Sequence, residues 1–533
     1  MRKVLKNRTY LYLTEFFSGM AVMAVELGAS RLLAPYFSSS QIVWTIIIAT
    51  IMIAMALGNL YGGVRADKDP NPDRLYRRLL IASVWIAFIP AAGKYVILGI
   101  TGLLVITVSQ NLLIIASFLA CMVIFVFPCF LLGTCTPSLA RYVTGEGGGE
   151  VGAVVGRLGA FNTIGSIIGT FLPTFVTIPA VGTAVTFLIF AGILLAIALI
   201  YFLSGTDGGQ GKGRAGLIIS VLLFVTASVF AVRDGFAFWE RDLLYEGESV
   251  YNYLQVKDTP DSTILSTNVL FGVQSVTMKT DGLTGMYYDY AMAAPVLAKK
   301  RERMLILGMG TGTYARQCLR YFGDMEITGV EIDDKITALS HRYFDAPEEA
   351  QVLTYDGRAF LAGDSGAYDV IMVDAYQDIT IPFQMSSVEF FRAVRDHLAE
   401  GGVLVVNMNM KTAAKDGICA YLTDTIADVF PYLRTVDVPG STNRELFASC
   451  DDVFGEAFSK NISQMADPAL RDLMAKTAER LCVPESGGRI LTDDRAPVEL
   501  LGMRAIDDII KEELVYYKEI FRRYGLSGLL GQV

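Results

Sequence analysis

Apolar and polar positions divide this chain into two unlike halves. Between residues 10 and 232 lie nearly all of its long uncharged runs, each close to the ~20 apolar residues that a membrane-spanning helix needs. They fall at 11–34, 41–63, 79–100, 111–137, 158–180, 182–203 and 215–232, so seven spans are predicted. The stretch 79–132 is long enough to hold an additional re-entrant or crossing segment around Lys94. Past residue 233 the period changes. Tyr251 to Lys257 and Ser275 to Lys279 alternate with a period of two, parted by turn residues such as Thr280-Asp281-Gly282, which predicts a small β-layer over 245–285. A helix over 287–299 should follow. Strands are then expected at Met304 to Leu307, Ile327 to Val330, Val370 to Val373 and Val403 to Asn407, with helices at 312–322, 334–343 and 387–399. Strands and helices alternating at these lengths imply a doubly wound parallel sheet. The expected domains are therefore a transmembrane helical domain over 1–232, a small β domain over 233–285, and an α/β domain over 286–533.

Composition supports the division. The 533 residues are 53% apolar and only 19% charged, where a soluble chain carries about 25%; mean hydropathy is +0.43. A net charge of −9 offers no basic footprint for a phosphate backbone and argues against a nucleic-acid partner. None of the seven cysteines forms a CxxC pair: Cys121, Cys129 and Cys135 lie in an apolar run and Cys318, Cys419, Cys450 and Cys482 are scattered. Neither a disulfide framework nor a metal site is indicated. The two histidines, His341 and His397, sit in helical patterns among charged neighbours and read as surface residues, so acid–base chemistry here should use carboxylates.

Charge in the short loops bears on orientation. Arg2, Lys3, Lys6 and Arg8 precede the first run, which is too long and too weakly bounded for a cleavable signal peptide. Arg65, Lys68, Arg74, Arg77 and Arg78 fill the loop at 64–78, Arg141 and Arg157 follow the fourth run, and Lys212 and Arg214 the sixth; the alternate loops at 35–40, 101–110 and 179–181 have no Lys or Arg. This pattern makes the N-terminus cytoplasmic. Seven crossings would then place the soluble half outside. Within the runs, Glu26 and Arg31 are costly to place in lipid and read either as a polar pathway or as a structural pair facing the bundle interior. Gly156, Gly159, Gly165 and Gly169 read as close helix packing. The segment Leu57-Gly58-Asn59-Leu60-Tyr61-Gly62-Gly63-Val64-Arg65-Ala66-Asp67 resembles the cytoplasmic loop signature of major facilitator transporters, of which six spans would be one half.

The candidate chemistry lies at strand ends. Met304 to Leu307 runs into Gly308-Met309-Gly310-Thr311-Gly312, a glycine loop opening a helix, where backbone can approach a ligand at the helix N-terminus. Glu331 ends the next strand about 20 residues on, where a ribose diol would be held. Asp356-Gly357 lies beyond the third strand, suited to an adenine amine, and Asp374 closes the fourth within Val373-Asp374-Ala375-Tyr376-Gln377-Asp378. Ligands of open α/β sheets bind outside the carboxyl ends of strands, so carboxylates at successive ends point to a nucleotide or nucleoside site in a Rossmann-like, methyltransferase-type fold.

The order of these motifs resembles the spermidine synthase family. Glu248-Ser249-Val250-Tyr251-Asn252-Tyr253-Leu254-Gln255-Val256 is similar to that family's first strand motif. Asp281-Gly282 followed by Tyr287-Tyr288-Asp289 and Pro295 is similar to its Asp-Gly turn and helix. Val330-Glu331-Ile332-Asp333 is similar to its ribose motif, Asp356-Gly357 to its adenine motif, and Asp374 to its catalytic aspartate. The likeness covers about 245 to 410, with Leu491-Thr492-Asp493-Asp494-Arg495-Ala496-Pro497-Val498-Glu499 resembling membrane-fused members. It implies a membrane-bound transferase moving an aminopropyl group from decarboxylated S-adenosylmethionine to putrescine or a related amine, with no metal. It also implies a cofactor site at Gly308, Gly310, Thr311, Gly312, Glu331, Asp356 and Gly357, and Asn252, Tyr287, Tyr288, Asp289, Tyr376, Gln377 and Asp378 at the amine.

Four positions depart from the family pattern. Thr311 stands where the family carries an Asp for the aminopropyl amine, Gln377 where it carries an Asp, with Asp378 adjacent, and Asn252 where a Gln is usual, while the Gln after the Asp-Gly turn is missing. A Thr in that loop equally suits methyltransferases using ordinary S-adenosylmethionine, so two alternatives stay open: such a methyltransferase, and a transporter or sensor binding a polyamine or nucleoside without turnover. The partners expected are a small polyamine and the lipid membrane, with a homo-oligomer left open. Because the co-substrate is cytosolic, the catalytic domain is expected in the cytoplasm, against the charge pattern.

Overall fold

The computed structural model describes residues 3–107, 111–147, 151–204, 214–233, 235–240, 242–269, 273–375, 381–409, 411, 416–511, 515 and 523. Contacts divide the chain into two compact units, Met1–Glu240 and Arg241–Val533.

The first unit is all helical: α1 (Arg8–Phe37), α2 (Gln41–Lys68), α3 (Pro72–Thr107), α4 (Leu112–Gly133), the short α5 (Cys135–Gly147), α6 (Val151–Leu172), α7 (Ile178–Leu203) and α8 (Arg214–Arg233). Six stretches among the described residues are long and apolar enough to cross a membrane, where seven were predicted. The difference lies in one stretch, Val151–Leu203, of 53 residues. At 1.5 Å per residue that is about 80 Å of helix, far beyond a ~30 Å hydrocarbon core. It is interrupted by π-helical turns at Pro173–Thr177 and by Gly182, whose φ of 80° and ψ of 169° are not helical.

Neighbours show that the chain reverses there. Along α1, a Cβ on Gly165 would meet Phe16 and one on Gly169 would meet Met20, so α6 runs parallel to α1. Going up α1, Tyr10 bonds Ile197 and Gly28 lies against Phe187, so α7 runs antiparallel. The helices thus make seven passes, and the chain leaves at the end opposite to the one it entered. The Tyr36 hydroxyl near the end of α1 donates to the carbonyl of Phe236 (2.9 Å), and Lys94 Nζ donates to that of Gly235 (3.0 Å).

Glycines set the helix contacts. A Cβ at Gly165 would lie 1.9 Å from the Phe16 carbonyl oxygen, and one at Gly169 2.2 Å from that of Met20, whereas Gly156 and Gly159 face open space. Only the first pair therefore does the packing expected of all four. The segment predicted as a loop signature at 57–67 is helical throughout: α2 continues to Lys68 and α3 starts at Pro72, so the loop shrinks to 69–71. Its Gly58 and Gly62 seat α2 on α4 and the start of α5, where a Cβ would come 2.2 Å from the Phe130 carbonyl oxygen and 2.8 Å from the Thr134 Cα.

The second unit begins with an antiparallel sheet of β1 (Leu243–Glu248), β2 (Tyr253–Asp258), β3 (Ser262–Ser266) and β4 (Ser275–Met278), in that order. Helices α9 (Tyr287–Ala291) and α10 (Ala293–Leu297) replace the single helix predicted over 287–299, because Pro295 has no N–H to continue the ladder. The main sheet then builds from β5 (Arg303–Leu307), α11 (Thr313–Phe322), β6 (Glu326–Glu331), α12 (Asp334–Tyr343), β7 (Gln351–Thr354), α13 (Gly357–Gly363), β8 (Tyr368–Val373), α14 (Val388–Asp396), β9 (Leu398–Met408), α15 (Ile418–Ala427), β10 (Tyr432–Asp437), β11 (Arg444–Ser449), α16 (Glu456–Ser463) and α17 (Pro468–Arg480).

Its order is β10-β11-β9-β8-β5-β6-β7. The five strands from β9 to β7 are parallel, as predicted; β11 and β10 are antiparallel additions, a hairpin returning beside β9. Strand order reverses at β5, between β6 and β8, which opens a crevice at the carboxyl ends of these three strands.

The glycine contacts give a paired test. Gly165→Ala should lower the melting temperature of the helical unit by several degrees, at about 2–4 °C per kcal/mol for a unit of this size. Gly159→Ala should leave it unchanged. Equal melting of the two variants in circular dichroism of the detergent-solubilised chain would rule out the α1–α6 contact as the reason.

Candidate active site

Glycine geometry brings the loop after β5 against the end of β8. Gly308, Gly310 and Gly312 have φ of 91°, 55° and 80°, a region L side chains rarely adopt. At Gly308 space is also decisive: a Cβ there would stand 2.4 Å from the Asp374 carbonyl oxygen. The Asp374 N–H in turn donates to the Leu307 carbonyl (2.9 Å).

Glu331, the last residue of β6, is buried and reaches back to this loop. Its Oε2 accepts from the Gly310 N–H (2.9 Å) and its Oε1 from the Asp333 N–H (3.1 Å). Burial pushes its carboxyl above the ordinary range, and these backbone bonds oppose the push. Asp333 Oδ1 caps α12 by accepting from the Lys335 N–H, while Oδ2 accepts from Ser249 Oγ (2.5 Å) and Asn252 Nδ2 (3.0 Å). The β1–β2 turn is thereby fastened to the carboxyl end of β6.

Asp356 caps α13, its Oδ1 accepting from the Ala359 N–H (2.8 Å). The next side chain, Arg358, donates twice to Asp493, 2.6 Å on each oxygen. Such bidentate pairs hold planar geometry as well as charge. The segment at 491–499 thus packs beside the crevice, with Ser387 Oγ also donating to Asp493 (2.5 Å).

Asp374 sits just past β8. Tyr287 Oη donates to its Oδ2 (2.5 Å), and Asn407 Nδ2, from the neighbouring strand β9, donates to its Oδ1 (2.9 Å). Burial pushes the Asp374 carboxyl up to about 7, against the pull of the two hydrogen bonds and with a further push from the nearby charge of Glu331. The Tyr287 and Tyr288 rings lie 4.0 Å apart beside it.

These groups surround a cavity of about 310 Å³. Gly308, Gly310, Glu331, Asp356, Gly357, Asp374, Tyr287, Tyr288 and Asn252 all line it. Three predicted site residues are placed elsewhere. Thr311 is fully buried with its hydroxyl 2.6 Å from Ser275 Oγ and 3.1 Å from Thr313 Oγ1, joining the loop to β4. Gly312 forms the N-cap of α11. Asp289 folds onto its own turn, accepting from the Thr284 N–H and hydroxyl and from the Gly285 N–H (2.7 Å). Tyr376, Gln377 and Asp378 lie outside the described residues.

Sequence reasoning passed over Asn407, Tyr314 and the Arg358–Asp493 pair. Asn407 left a readable signal, a polar residue ending an apolar strand; Tyr314 looked like any amphipathic-helix residue.

The model of the spermine/spermidine synthase domain matches residues 286–445. A probable polyamine aminopropyl transferase of Bifidobacterium longum is 54% identical over 358 residues, covering 63% of this chain and 78% of its own length. The chain belongs to the polyamine aminopropyltransferase family. As a member of that family it is a transferase. The polyamine aminopropyltransferase of Vibrio vulnificus is 26% identical over 305 residues, 53% of this chain and 98% of its own. Among solved structures, the spermidine synthase from Thermotoga maritima aligns with a TM-score of 0.38 and 19% identity over 46% of this chain and 85% of that one.

The raised carboxyl has a consequence for stability in this aminopropyltransferase. An unfolded Asp loses its proton near 3.8, whereas native Asp374 holds it to about 7. Between these values the native state binds more protons, so stability falls as pH rises, and the full cost is present above 7. Asp374→Asn should therefore raise the melting temperature at pH 8 and have no such effect near pH 4. An equal shift at both would mean that the carboxyl is not perturbed.

Proposed function

We propose that this membrane-bound aminopropyltransferase moves the aminopropyl group of decarboxylated S-adenosylmethionine to putrescine or a related diamine. The observation that carries the reading is Asp374, a buried carboxyl near neutrality, facing the same cavity as Glu331 and the glycine loop. Glu331 keeps lone pairs beyond its two backbone bonds for the ribose hydroxyls. Asp356 and Gly357 would border the adenine, and Asn252, Tyr287 and Tyr288 the amine, with Tyr376, Gln377 and Asp378 assigned there by resemblance.

A proton must leave the acceptor before its nitrogen can attack. Asp374, ionised, takes that proton from the ammonium group. The freed lone pair forms a C–N bond to the aminopropyl carbon beside the sulfonium, and the C–S bond breaks, its electrons returning to sulfur as methylthioadenosine leaves. Tyr287 and Asn407 fix the carboxyl in one orientation throughout, and holding both substrates in one cavity supplies much of the rate.

Thr311 favours a second reading, methyl transfer from ordinary S-adenosylmethionine, because its hydroxyl puts no carboxylate in the loop. Products separate the two. The purified chain given decarboxylated donor and putrescine should yield spermidine and methylthioadenosine; S-adenosylhomocysteine from the ordinary donor would establish the second. Asp374→Asn should lower kcat by roughly 10²–10⁴-fold and abolish the fall of kcat/KM below about pH 7. Glu331→Ala should chiefly weaken donor binding. Unchanged kcat in the first variant would remove Asp374 from the proton's path.

The helical unit is read as embedded in lipid, its seven passes each crossing. The N-terminus and the catalytic unit then lie on opposite sides. A cytosolic co-substrate places catalysis in the cytoplasm and the N-terminus outside; the basic loops at the end where α1 begins favour the reverse. Tags at residues 1 and 533, probed from each side of sealed vesicles, should report opposite locations. Labelling of both from one side would overturn the seven crossings.

A further inference from the structure

Two strands away from Asp374 on the main sheet lies a carboxyl that the proposed chemistry does not use. Glu445 on β11 has no exposed surface, and among the described residues neither of its oxygens has a hydrogen-bond partner. Register explains how it comes there. Val373 pairs with Val406, which sets Asp374 beside Asn407, and Asn407 pairs directly with Glu445. Directly opposed residues share a face, so Asp374, Asn407 and Glu445 form a row across β8, β9 and β11. That face is otherwise apolar, with Met372, Val405 and Phe447 in the core. Asn407 is already engaged on both sides, donating to Asp374 and accepting from Asn443 Nδ2 (2.8 Å). Nothing in the row turns toward Glu445.

The row is also spaced for two charges. Two strand separations put the backbones of Asp374 and Glu445 roughly 9–10 Å apart. Glu445 does not itself line the cavity, but it is in electrostatic reach of Asp374 and of Tyr314, both of which do. Around it, β8 presents Asp374, α9 presents Tyr287 and Tyr288 with Asp289 turned to its own loop, and α11 presents Tyr314 and Cys318. On β10, Val436 stands opposite Glu445, and the nearby Arg434 lies over the Phe454 ring. The charged side chains of α17 are exposed, its buried face being Leu470, Met474 and Thr477, whose hydroxyl donates to the Leu473 carbonyl. No cation therefore faces the carboxyl among the described residues, and burial pushes its proton affinity well above the ordinary range.

A bare buried carboxyl is a loss to the fold, since it gives up its hydrogen bonds with water and gains none in return. A ligand with positive charge would recover it. We propose that Glu445 is a specificity-determining residue, ionising as a diamine enters and holding its second ammonium group by charge while the first lies at Asp374. The proton released goes to solvent. This rests on the aminopropyltransferase reading given above, and it concerns which acceptors are chosen rather than how the bond is made.

The full-length protein, with methylthioadenosine filling the nucleoside side, should release more protons with 1,4-diaminobutane than Glu445→Gln does, by about one. Calorimetry at pH 8 in buffers of different ionisation heat reads this directly. In turnover, Glu445→Gln should raise KM for 1,4-diaminobutane roughly tenfold or more with kcat changed far less, and leave KM for 1-aminobutane unaltered. Glu445→Leu should melt higher than the native chain without amine, because it removes the unsatisfied group. Equal proton release, equal KM changes for the two amines, or lower melting of the Leu variant would each overturn the proposal. Failure of the native protein to make any aminopropylated product would instead overturn the functional reading, while the calorimetry would still judge Glu445.

Discussion

The site depends on keeping one carboxyl away from water while leaving it able to ionise. Asp374 achieves this with two donors of different kinds. A Tyr287 hydroxyl comes from a helix laid over the sheet, and an Asn407 amide from the next strand. Hydrogen bonds to a charged group are worth about 1.5–3 kcal/mol each, which offsets part of the burial penalty and brings the group to about 7 rather than leaving it permanently protonated. Either donor also fixes orientation. The helix α9 and the strand β9 must therefore be placed accurately for chemistry, and the packing of Tyr287, Ala291, Met372 and Val405 into one core does that placing.

The same carboxyl couples the two sides of the crevice. Gly308 has no Cβ to strike the Asp374 carbonyl, so the glycine loop lies directly on the residue proposed to handle the amine. Glu331 holds that loop by Gly310, and Asp333, two residues on, holds the β1–β2 turn through Ser249 and Asn252. A displacement at either sheet is thus transmitted to the distance between donor and acceptor. The small sheet is part of the positioning apparatus, although it carries no proposed reacting group.

Much of this could be read from residues in order. Gly308, Glu331, Asp356 and Asp374 are legible because a parallel sheet exposes the residue just past each strand to the same crevice, so position in sequence gives position in space. Thr311 and Asp289 lie within the same motifs yet turn away from the cavity, since local hydrogen bonding with Ser275 and with Thr284 decides side-chain direction. Tertiary pairing was less visible. That β11 would return antiparallel, and bring Glu445 to Asn407, depends on a hairpin contact some forty residues distant in sequence. In the helical unit, the glycines at 165 and 169 and those at 156 and 159 look alike as letters. Only their rotation around α6 separates a helix contact from open space.

The two units use buried carboxyls in opposed ways. Helices in lipid gain nothing from the hydrophobic effect by associating, so close backbone approach and polar contacts must hold them. Glu15 engages one oxygen with Thr136 Oγ1 (2.5 Å) and Asn162 Nδ2 (2.8 Å), joining α1 to α5 and α6 beside the Gly165 contact. Its Oε2 has no hydrogen-bond partner among the described residues, and the two bonds to Oε1 serve registry. In the catalytic unit, among the described residues, Asp374 has one bond per oxygen and Glu445 none, with an apolar core close beneath. In the proposed reaction a cationic substrate supplies the missing partners. A carboxyl bonded to two neighbouring helices fixes a structure; one set in a core close to a cavity is placed to select what enters.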